Sequence, residues 1–579
     1  MRVEEIFHQQ APPTGNPYLS DSVLPSLLKR LLPPSVLGIV EPDLIRLGHD
    51  LVHVIRPIAP QVQPATLTQY DAWGNRVDVL QVSEGWKILK VFACKEGVVN
   101  IAYERKFQEY SRIYGFAKSM VMVGDCHVIM CPYSMADGAA RVMELSGSTR
   151  MKEEILPRLV SSDPETAYIS GQWMTESTGG SDVSRSETTA SATPTSADDL
   201  GPAYLLDGFK WFSSAAEGNM ALALARTGAS TAGTRSLSLF LVPVRIPPFP
   251  TPLSNNVHIH RLKDKVGTRA VPTAELSLNG ARAWLVGAEN AGVRLITPML
   301  NITRTHSAIH SIGSLMRAFA LASAYASVRA VDGGKLLRTI PGHMETLARV
   351  GLVYRALTHL TFGGIALLGR TECGVATPDE LARLRLLTPA MKAFAALKVV
   401  PAIEECMAAM GGQGYMEETG IGRLIRDTVV EQIWEGTIEV LAHDLIRASR
   451  DKGIVDSFCQ WAQTIIASSD QTPGIAYLQS VVAELPSRFR KTGNPLLARP
   501  ILILFGNVAC ALFLLEHAVW ARTSGEPSAS TDRAVFERWV EEGGMKATLV
   551  DIAALEKGVE ERIAVNEKMV CGPNDRAKL

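Results

Sequence analysis

The spacing of apolar residues changes twice along this chain, and the change limits the folds that it can adopt. From about residue 166 to 285, apolar and small polar residues alternate in places, as in Ser236–Leu241. Alternation is typical of a β-strand with one buried face. On either side, apolar residues recur three or four positions apart, for example in Val23–Leu31 and Ile309–Arg329, as helices require. The pattern therefore predicts a β domain between helical regions.

Four segments follow from this pattern, and together they predict an α+β fold. We expect an N-terminal α-helical domain (1–165), a central β-barrel or β-sandwich domain (166–285), a C-terminal helical bundle (286–450) and an extra helical region (451–579). The length of 579 residues is sufficient for several domains.

Three local features refine this prediction. Asn279-Gly280 is expected to form a hairpin turn, and the Ser- and Thr-rich segment Glu187–Asp199 a surface loop. The longest apolar run, Ile501–Leu515, contains Asn507 and is shorter than the roughly 20 residues of a membrane span. It predicts a buried helix and no membrane span.

The charge balance and the cysteines bear on possible partners. The chain has 58 basic and 59 acidic residues, and Leu441–Leu579 has 16 basic and 17 acidic residues, a difference of −1. Proteins that bind DNA by neutralising phosphates need a basic excess, so nucleic-acid binding is disfavoured. The eight cysteines are scattered, without a C-x-x-C pair, and predict no metal site.

Two segments near the β domain are suited to ligand binding. Gln172–Asp182 is rich in hydroxyls and glycines, so its backbone N–H groups can approach a phosphate or a planar ligand; a mobile surface turn is the alternative. Gly208–Ser214 combines aromatic rings with hydroxyls on one predicted strand. A flat cofactor could lie against that strand, although aromatic residues also serve plain strand packing.

A third segment, Trp434–Thr437, is suited to catalysis. Gly436 is predicted to end one helix and Thr437 to cap the next, so that Glu435 lies at a helix junction beside Trp434. A carboxylate in an apolar pocket has a raised pKa, which suits it to removing a proton from carbon. The alternative is a solvated glutamate in the first turn of a helix, where the helix dipole favours it.

The order and spacing of these segments resemble the acyl-CoA dehydrogenase superfamily. The residues that match its motifs are Thr175-Glu176 with Gly180–Asp182, Lys210–Ser214, Arg261–Ala270, Arg329 with Gly333, Gly411–Tyr415 and Glu435–Thr437. Within the superfamily, Asn16–Asp21, Tyr70–Arg76, Trp434 and the extra C-terminal helical region look like the AidB-like branch.

The resemblance implies that FAD is the cofactor and that the reaction is α,β-dehydrogenation of an acyl-CoA or another acyl thioester. Glu435 would be the base, and flavin N5 would accept the hydride. The implied cofactor-binding residues are Met174, Thr175, Gly180, Ser181, Phe212, Ser214, Arg329, Gly411, Gly412, Trp434 and Thr437. The implied substrate-binding residues are Ser181, Arg304 and Gly436. The family also implies a homo-tetramer, with an electron-transfer flavoprotein or oxygen as electron acceptor.

Two other functions stay open at this point. A nitroalkane-oxidase-like branch uses the same scaffold, but its base is typically Asp, whereas position 435 is Glu. The AidB-like proteins also bind DNA in the alkylation response, which the charge balance disfavours. Asp332 and Glu439 depart from the family pattern, and their negative charges would repel a diphosphate unless they face solvent.

The last three residues, Ala577, Lys578 and Leu579, resemble a variant of the S-K-L peroxisomal address. The sequence therefore predicts a peroxisomal location, and otherwise a cytoplasmic one.

Overall fold

The structure is a computed structural model that describes residues 9–196, 199–245, 255–491 and 493–572. The tripeptide Ala577–Leu579 lies outside the described residues, so its role as an address stays a prediction.

The chain forms two compact units. The first comprises Met1–Val350 and Val399–Glu435, and the second comprises Gly351–Lys398 and Gly436–Leu579. These boundaries differ from those of the four predicted segments, which stay a prediction.

Helices α1 to α7 and one β hairpin precede the large sheet. The helices are α1 (Leu24–Leu31), α2 (Pro34–Asp50), α3 (Glu84–Lys95), α4 (Asn100–Glu104), α5 (Ser111–Val123), α6 (Met130–Ser146) and α7 (Leu156–Leu159). The hairpin pairs β1 (Thr66–Tyr70) with β2 (Arg76–Gln81) and was not predicted. Its turn depends on Asp71, whose carboxylate accepts the N–H groups of Trp73 and Asn75 at 2.8 Å. Local turn chemistry, rather than apolar spacing, forms it.

A seven-stranded sheet forms the β domain. Its strands are β3 (Ser170–Trp173), β4 (Thr189–Ala192), β5 (Ala203–Ser214), β6 (Met220–Arg226), β7 (Leu237–Pro243), β8 (Val257–Leu262) and β9 (Thr273–Leu285). The strand order is β3-β6-β4-β5-β9-β7, with β8 on β9 and a further pairing of β6 with β7. The neighbours of β6 thus lead round through β4, β5, β9 and β7 back to β6, which closes a barrel. Its interior includes Leu206, Phe240 and Leu276.

Asn279-Gly280 is not a hairpin turn, contrary to the prediction. Both residues lie within β9, where Asn279 pairs with Asp207 and Ala281 with Leu206, so that Gly280 has no partner in the ladder. Gly280 has a φ of +70° and donates its N–H to the Asp207 carboxylate at 2.7 Å. An Asn-Gly pair meets the needs of a β-bulge as well as those of a turn, because both need a left-handed glycine.

The predicted surface loop Glu187–Asp199 was also partly wrong, because it contains β4. This strand pairs with β5 although its side chains are mostly exposed, so its sequence carries little apolar signal.

Long helices follow the sheet. They are α8 (Gly292–Ala326), α9 (Pro341–Glu372), α10 (Pro378–Ala409), α11 (Ile421–Thr428) and α12 (Ile438–Ala448). A short hairpin of β10 (Ala330–Val331) and β11 (Lys335–Leu336) lies between α8 and α9. In the first unit, α8 packs against α5, α6 and α11.

The remaining helices belong to the second unit. They are α13 (Lys452–Ala467), α14 (Pro473–Arg490), α15 (Ala498–Thr523), α16 (Ala529–Glu542), α17 (Met545–Leu555) and α18 (Val559–Cys571). The apolar run Ile501–Leu515 is part of α15 and is buried, as predicted. Three helices, α9, α10 and α15, are nevertheless long and apolar enough to cross a membrane by length and composition, although 78–83% of each apolar window is buried within the structure. The absence of a membrane span stays a prediction.

Within the described ranges, no group of three or more His, Cys, Asp or Glu side chains is arranged to hold a metal ion.

The β-bulge at Gly280 gives a first test of the fold. Nothing lies within 4 Å of a Cβ added there, so Gly280→Ala should cost only the left-handed backbone energy of about 1–2 kcal/mol. Gly280→Asn should cost less, because Asn adopts this conformation more readily. Urea denaturation of the three proteins would measure the difference, and equal midpoints for Ala and Gly would contradict the bulge.

Candidate active site

A buried ion pair organises the loop that follows β3. Lys210, on β5, is fully buried and donates from Nζ to Glu176 Oε1 at 2.6 Å and to the Leu224 carbonyl on β6 at 2.8 Å. The Glu176 carboxylate also accepts the N–H of Glu187 at 2.5 Å and the hydroxyl of Thr188 at 2.7 Å. Burial would raise the pKa of Glu176, but Lys210 and these donors outweigh it and hold the pKa below its usual value. The pair therefore ties the segment 176–188 to two strands of the barrel.

Met174 and Thr175 stand between β3 and this ion pair. Met174 is buried, and the Thr175 carbonyl accepts the N–H of Trp211 on β5 at 3.0 Å. Gly180 and Ser181 are exposed at the far end of the loop, where a Cβ on Gly180 would come within 3.0 Å of the Thr175 side chain. The first two predicted segments are thus in contact.

The end of β5 presents an aromatic surface. Phe212 is 52% exposed. The Lys263 ammonium lies 3.2 Å from the ring centroid of Trp211 and 4.9 Å from that of Phe212. Such a cation over an aromatic face is attracted by the ring quadrupole. An exposed aromatic ring held in this way offers a flat surface for stacking.

Ser214 ends β5 and belongs to a short hydrogen-bonded chain. Its hydroxyl is 3.0 Å from that of Thr273, which in turn accepts from Lys265 Nζ at 2.9 Å. Lys265 also donates to the Val271 carbonyl at 2.8 Å, and burial lowers the pKa of its ammonium to about 8. Because Lys265 donates to Thr273, the Thr273 proton is available to Ser214.

Glu435 lies in a strained turn that contacts α8. Its φ is +56°, which is unusual for a residue other than glycine. Its carboxylate accepts the Thr303 hydroxyl at 2.5 Å, and its carbonyl accepts Nε of Arg304 at 3.2 Å. The structure therefore brings the predicted base and the predicted substrate-binding residue Arg304 into direct contact.

Trp434 and its neighbours were only partly anticipated. The helix before this turn was predicted to end at Gly436 but ends at Thr428 and continues as a 3-10 turn, and Ile433 is 62% exposed. The Trp434 indole donates to Glu431 at 2.5 Å. Thr437 begins the second unit's α12 as a helix cap, as predicted, and accepts the N–H of Val440.

A third group of predicted residues lies near a cavity. Arg329 donates to the Gln9 side chain at 3.2 Å. Gly411, with a φ of +59°, and Gly412 are exposed, and nothing lies within 4 Å of a Cβ added to either. Next to them is a cavity of about 450 Å³ lined in part by Arg317, Tyr325, Met410 and Gln413.

The two departures that raised an electrostatic objection are both exposed and paired. Asp332 forms an ion pair with Lys335 at 3.0 Å, and Glu439, in the second unit, forms one with Arg499 at 3.1 Å. Each negative charge thus has a local cation and faces solvent.

The sequence did not identify several residues that shape this site. Glu176 and Lys210 were part of matched motifs, but no role was assigned to them. Thr303, Ser307 and Glu431 were not considered at all. The sequence does contain a signal for Thr303 and Ser307, because hydroxyl residues four positions apart on a largely apolar helix share one face.

The residues of the first unit fit a flat, phosphate-bearing cofactor such as FAD. Phe212 offers an exposed ring, Ser214 a hydroxyl beside it, and Gly411 and Gly412 an open backbone. Two buried polar atoms, Trp173 Nε1 and Ser213 Oγ, have no hydrogen-bond partner among the described residues. Such groups normally find one. Together with the carboxylate on a strained turn, these features are those expected of a protein that binds a flavin.

Comparisons with known proteins identify the family. Residues 171–281 match the acyl-CoA dehydrogenase middle domain and residues 290–449 its C-terminal domain. Acyl-CoA dehydrogenase family member 11 of Caenorhabditis elegans is 39% identical over 457 residues, which cover 77% of this chain and 72% of that protein. The putative acyl-CoA dehydrogenase AidB of Escherichia coli is 29% identical over 466 residues, covering 79% and 81%.

The fold agrees with these similarities. The crystal structure of Caenorhabditis elegans ACDH-11 in complex with C11-CoA superposes with a TM-score of 0.89 at 32% identity, covering 99% of this chain and 98% of that one. This chain belongs to the acyl-CoA dehydrogenase family, within its AidB-like branch. It is an FAD-dependent oxidoreductase.

The ion pair between Glu176 and Lys210 should dominate the stability of the loop. Lys210→Met leaves a buried carboxylate without its cation and should destabilise the protein by about 3–5 kcal/mol. The double variant Glu176→Gln/Lys210→Met should recover part of that loss. Thermal denaturation of both would show it, and a double variant less stable than Lys210→Met would contradict the pairing.

Proposed function

We propose that this protein removes two hydrogens from the α and β carbons of an acyl-CoA, with Glu435 as the base. The observation that carries the proposal is the Glu435 carboxylate, which hydrogen bonds to Thr303 at 2.5 Å on a turn anchored by Arg304. The family membership supports the reaction. The crystal structure of the similar ACDH-11 contains C11-CoA, and this supports an acyl-CoA as the substrate.

Glu435, Thr303 and Arg304 would have separate roles in this reaction. Glu435 takes the α-proton on its carboxylate, and a carbon–carbon double bond forms as the β-hydrogen leaves with its electron pair. FAD, when bound, supplies the acceptor for that hydride. Thr303 donates its hydroxyl to Oε2 and so helps to orient the Glu435 carboxylate. Arg304, through the Glu435 carbonyl, fixes the turn that carries the base.

Different groups would hold FAD. Phe212 would stack on the ring system, and Met174, Thr175 and Ser214 would line it. The exposed Gly411 and Gly412 support close approach of a phosphate, because no side chain obstructs them. Arg329 would pair with a phosphate after exchanging its contact with Gln9.

The remaining assignments of this proposal rest on the family likeness alone. Gly180, Ser181, Trp434 and Thr437 would complete the FAD site, and Ser181 and Gly436 would also contact the thioester. Of these, Ser181 is exposed, so its hydroxyl is accessible to a ligand.

Glu435→Gln tests the base directly. The amide still accepts from Thr303 but cannot take a proton, so flavin reduction by an acyl-CoA should slow by about 10²–10⁴-fold. FAD content should stay unchanged. Anaerobic stopped-flow mixing of the FAD-loaded protein with C11-CoA and with shorter and longer acyl-CoAs measures this. Full-rate flavin reduction by the variant would remove Glu435 from the mechanism.

We further propose that the protein acts as a homo-tetramer and passes its electrons to oxygen or to an electron-transfer flavoprotein. A peroxisomal location, which rests on Ala577–Leu579, would favour oxygen. Nitroalkane oxidation and DNA binding are disfavoured by the glutamate at position 435 and by the absence of a basic excess in the C-terminal sequence.

The location can be tested in cells. A fluorescent protein fused before the N-terminus should colocalise with a peroxisomal marker, and deletion of the last three residues should release it to the cytosol. A full-length fusion that is cytosolic from the start would refute the address.

A further inference from the structure

A second carboxylate, that of Glu431, is buried beside the proposed base and has no role in the proposed reaction. Glu431 is 2% exposed. Its Oε2 accepts the Ser307 hydroxyl and the Trp434 indole N–H, both at 2.5 Å. His310 Nδ1 lies 3.4 Å from Oε1. Burying a carboxylate costs free energy unless the group is paired and hydrogen bonded. These contacts supply the hydrogen bonds that the buried Glu431 carboxylate needs.

One face of α8 holds both carboxylates. Thr303, Ser307 and His310 are four and three positions apart, so they lie on the same side of the helix. Thr303 contacts Glu435, and Ser307 and His310 contact Glu431. The two carboxylates are themselves four residues apart in the sequence. The helix and the 431–435 segment therefore meet along a polar seam.

The backbone at Glu435 needs such support. Its φ of +56° and the +103° of Gly436 are left-handed, and for a residue with a side chain this costs about 1–2 kcal/mol. Strained residues persist where the surroundings over-determine them. Trp434 directly precedes the strained residue Glu435, and its indole N–H is fixed by a hydrogen bond to Glu431.

We infer that Glu431 is a positioning residue for Glu435. Its carboxylate clamps the Trp434 indole against α8, and this fixes the start of the strained turn so that the Glu435 carboxylate stays against Thr303. The inference rests on the proposed role of Glu435 as the base. A misplacement of a reacting group by about 1 Å can cost about 10²-fold in rate, so a small movement of this turn has a large effect.

Two substitutions release the clamp from opposite sides. Glu431→Ala removes the acceptor, whereas Trp434→Phe keeps an aromatic ring and removes only the donor. Each should slow flavin reduction of the FAD-loaded protein by C11-CoA by about 10–10²-fold. The Kd for C11-CoA should change much less than the rate, because the clamp acts through the position of the Glu435 carboxylate. The double variant should be no slower than the slower single one, since both break the same contact.

A direct view of the hydrogen bond does not depend on activity. In protein labelled with ¹⁵N-tryptophan, the strongly hydrogen-bonded indole N–H of Trp434, identified by its loss in Trp434→Phe, should shift in Glu431→Ala. Glu431→Gln keeps an acceptor oxygen and should restore most of the rate. Ser307→Ala removes one donor and leaves the Trp434 bond, so it should have a smaller effect and serves as the matched control.

The outcomes separate this inference from the proposal beneath it. Wild-type flavin reduction by Glu435→Gln would overturn both. If Glu435→Gln is inactive but Glu431→Ala and Trp434→Phe reduce flavin at the wild-type rate, the clamp has no part in positioning. Additive losses in the double variant would also overturn it, because Glu431 and Trp434 would then act independently of each other. If Glu431→Ala does not fold, the cycle of Glu431→Leu with Trp434→Phe decides in the same way, because leucine also removes the acceptor and fills more of the buried space.

Discussion

The buried ion pair between Glu176 and Lys210 is the interaction on which the β side of the site depends. Lys210 reaches the carbonyl of Leu224 on one strand and the carboxylate of Glu176 in the loop after another. A charge pair out of water holds its geometry only when its remaining donors and acceptors are satisfied, and here the backbone at 187 and the Thr188 hydroxyl do so. This pair helps to fix the positions of Met174, Thr175 and the end of β5.

The helical side of the site is built on a different principle. There a single helix face supplies hydroxyl and imidazole groups, and a short irregular segment supplies the carboxylates that meet them. The left-handed turn at Glu435 aims its side chain at α8 in a way that regular helix does not allow. The strain is local, and its support comes from contacts within the first unit.

The sequence predicted the order of helical and β regions well, because apolar periodicity persists over long stretches. It also predicted the Thr437 cap and the buried helix around Ile501–Leu515, where one residue type or one long run carries the signal. It failed at β4 and at the β1–β2 hairpin, whose pairing depends on the backbone more than on apolar side chains. It misassigned Asn279-Gly280, because a turn and a bulge use the same residues. Contacts such as Glu431 with Ser307 join positions more than a hundred residues apart, and no local pattern reports them.

Helix α15 is apolar enough to cross a lipid bilayer, yet most of its apolar residues are covered by protein. Within the second unit, α12, α13, α14, α16 and α17 pack against α15, and two of these follow it in the chain. During synthesis, part of the apolar surface of α15 therefore emerges before α16 and α17, which cover it, have been made. Folding of this unit becomes a competition between docking of the late helices and aggregation or adsorption of the exposed helix, so the rate of synthesis and the supply of chaperones bear on the yield of the active protein.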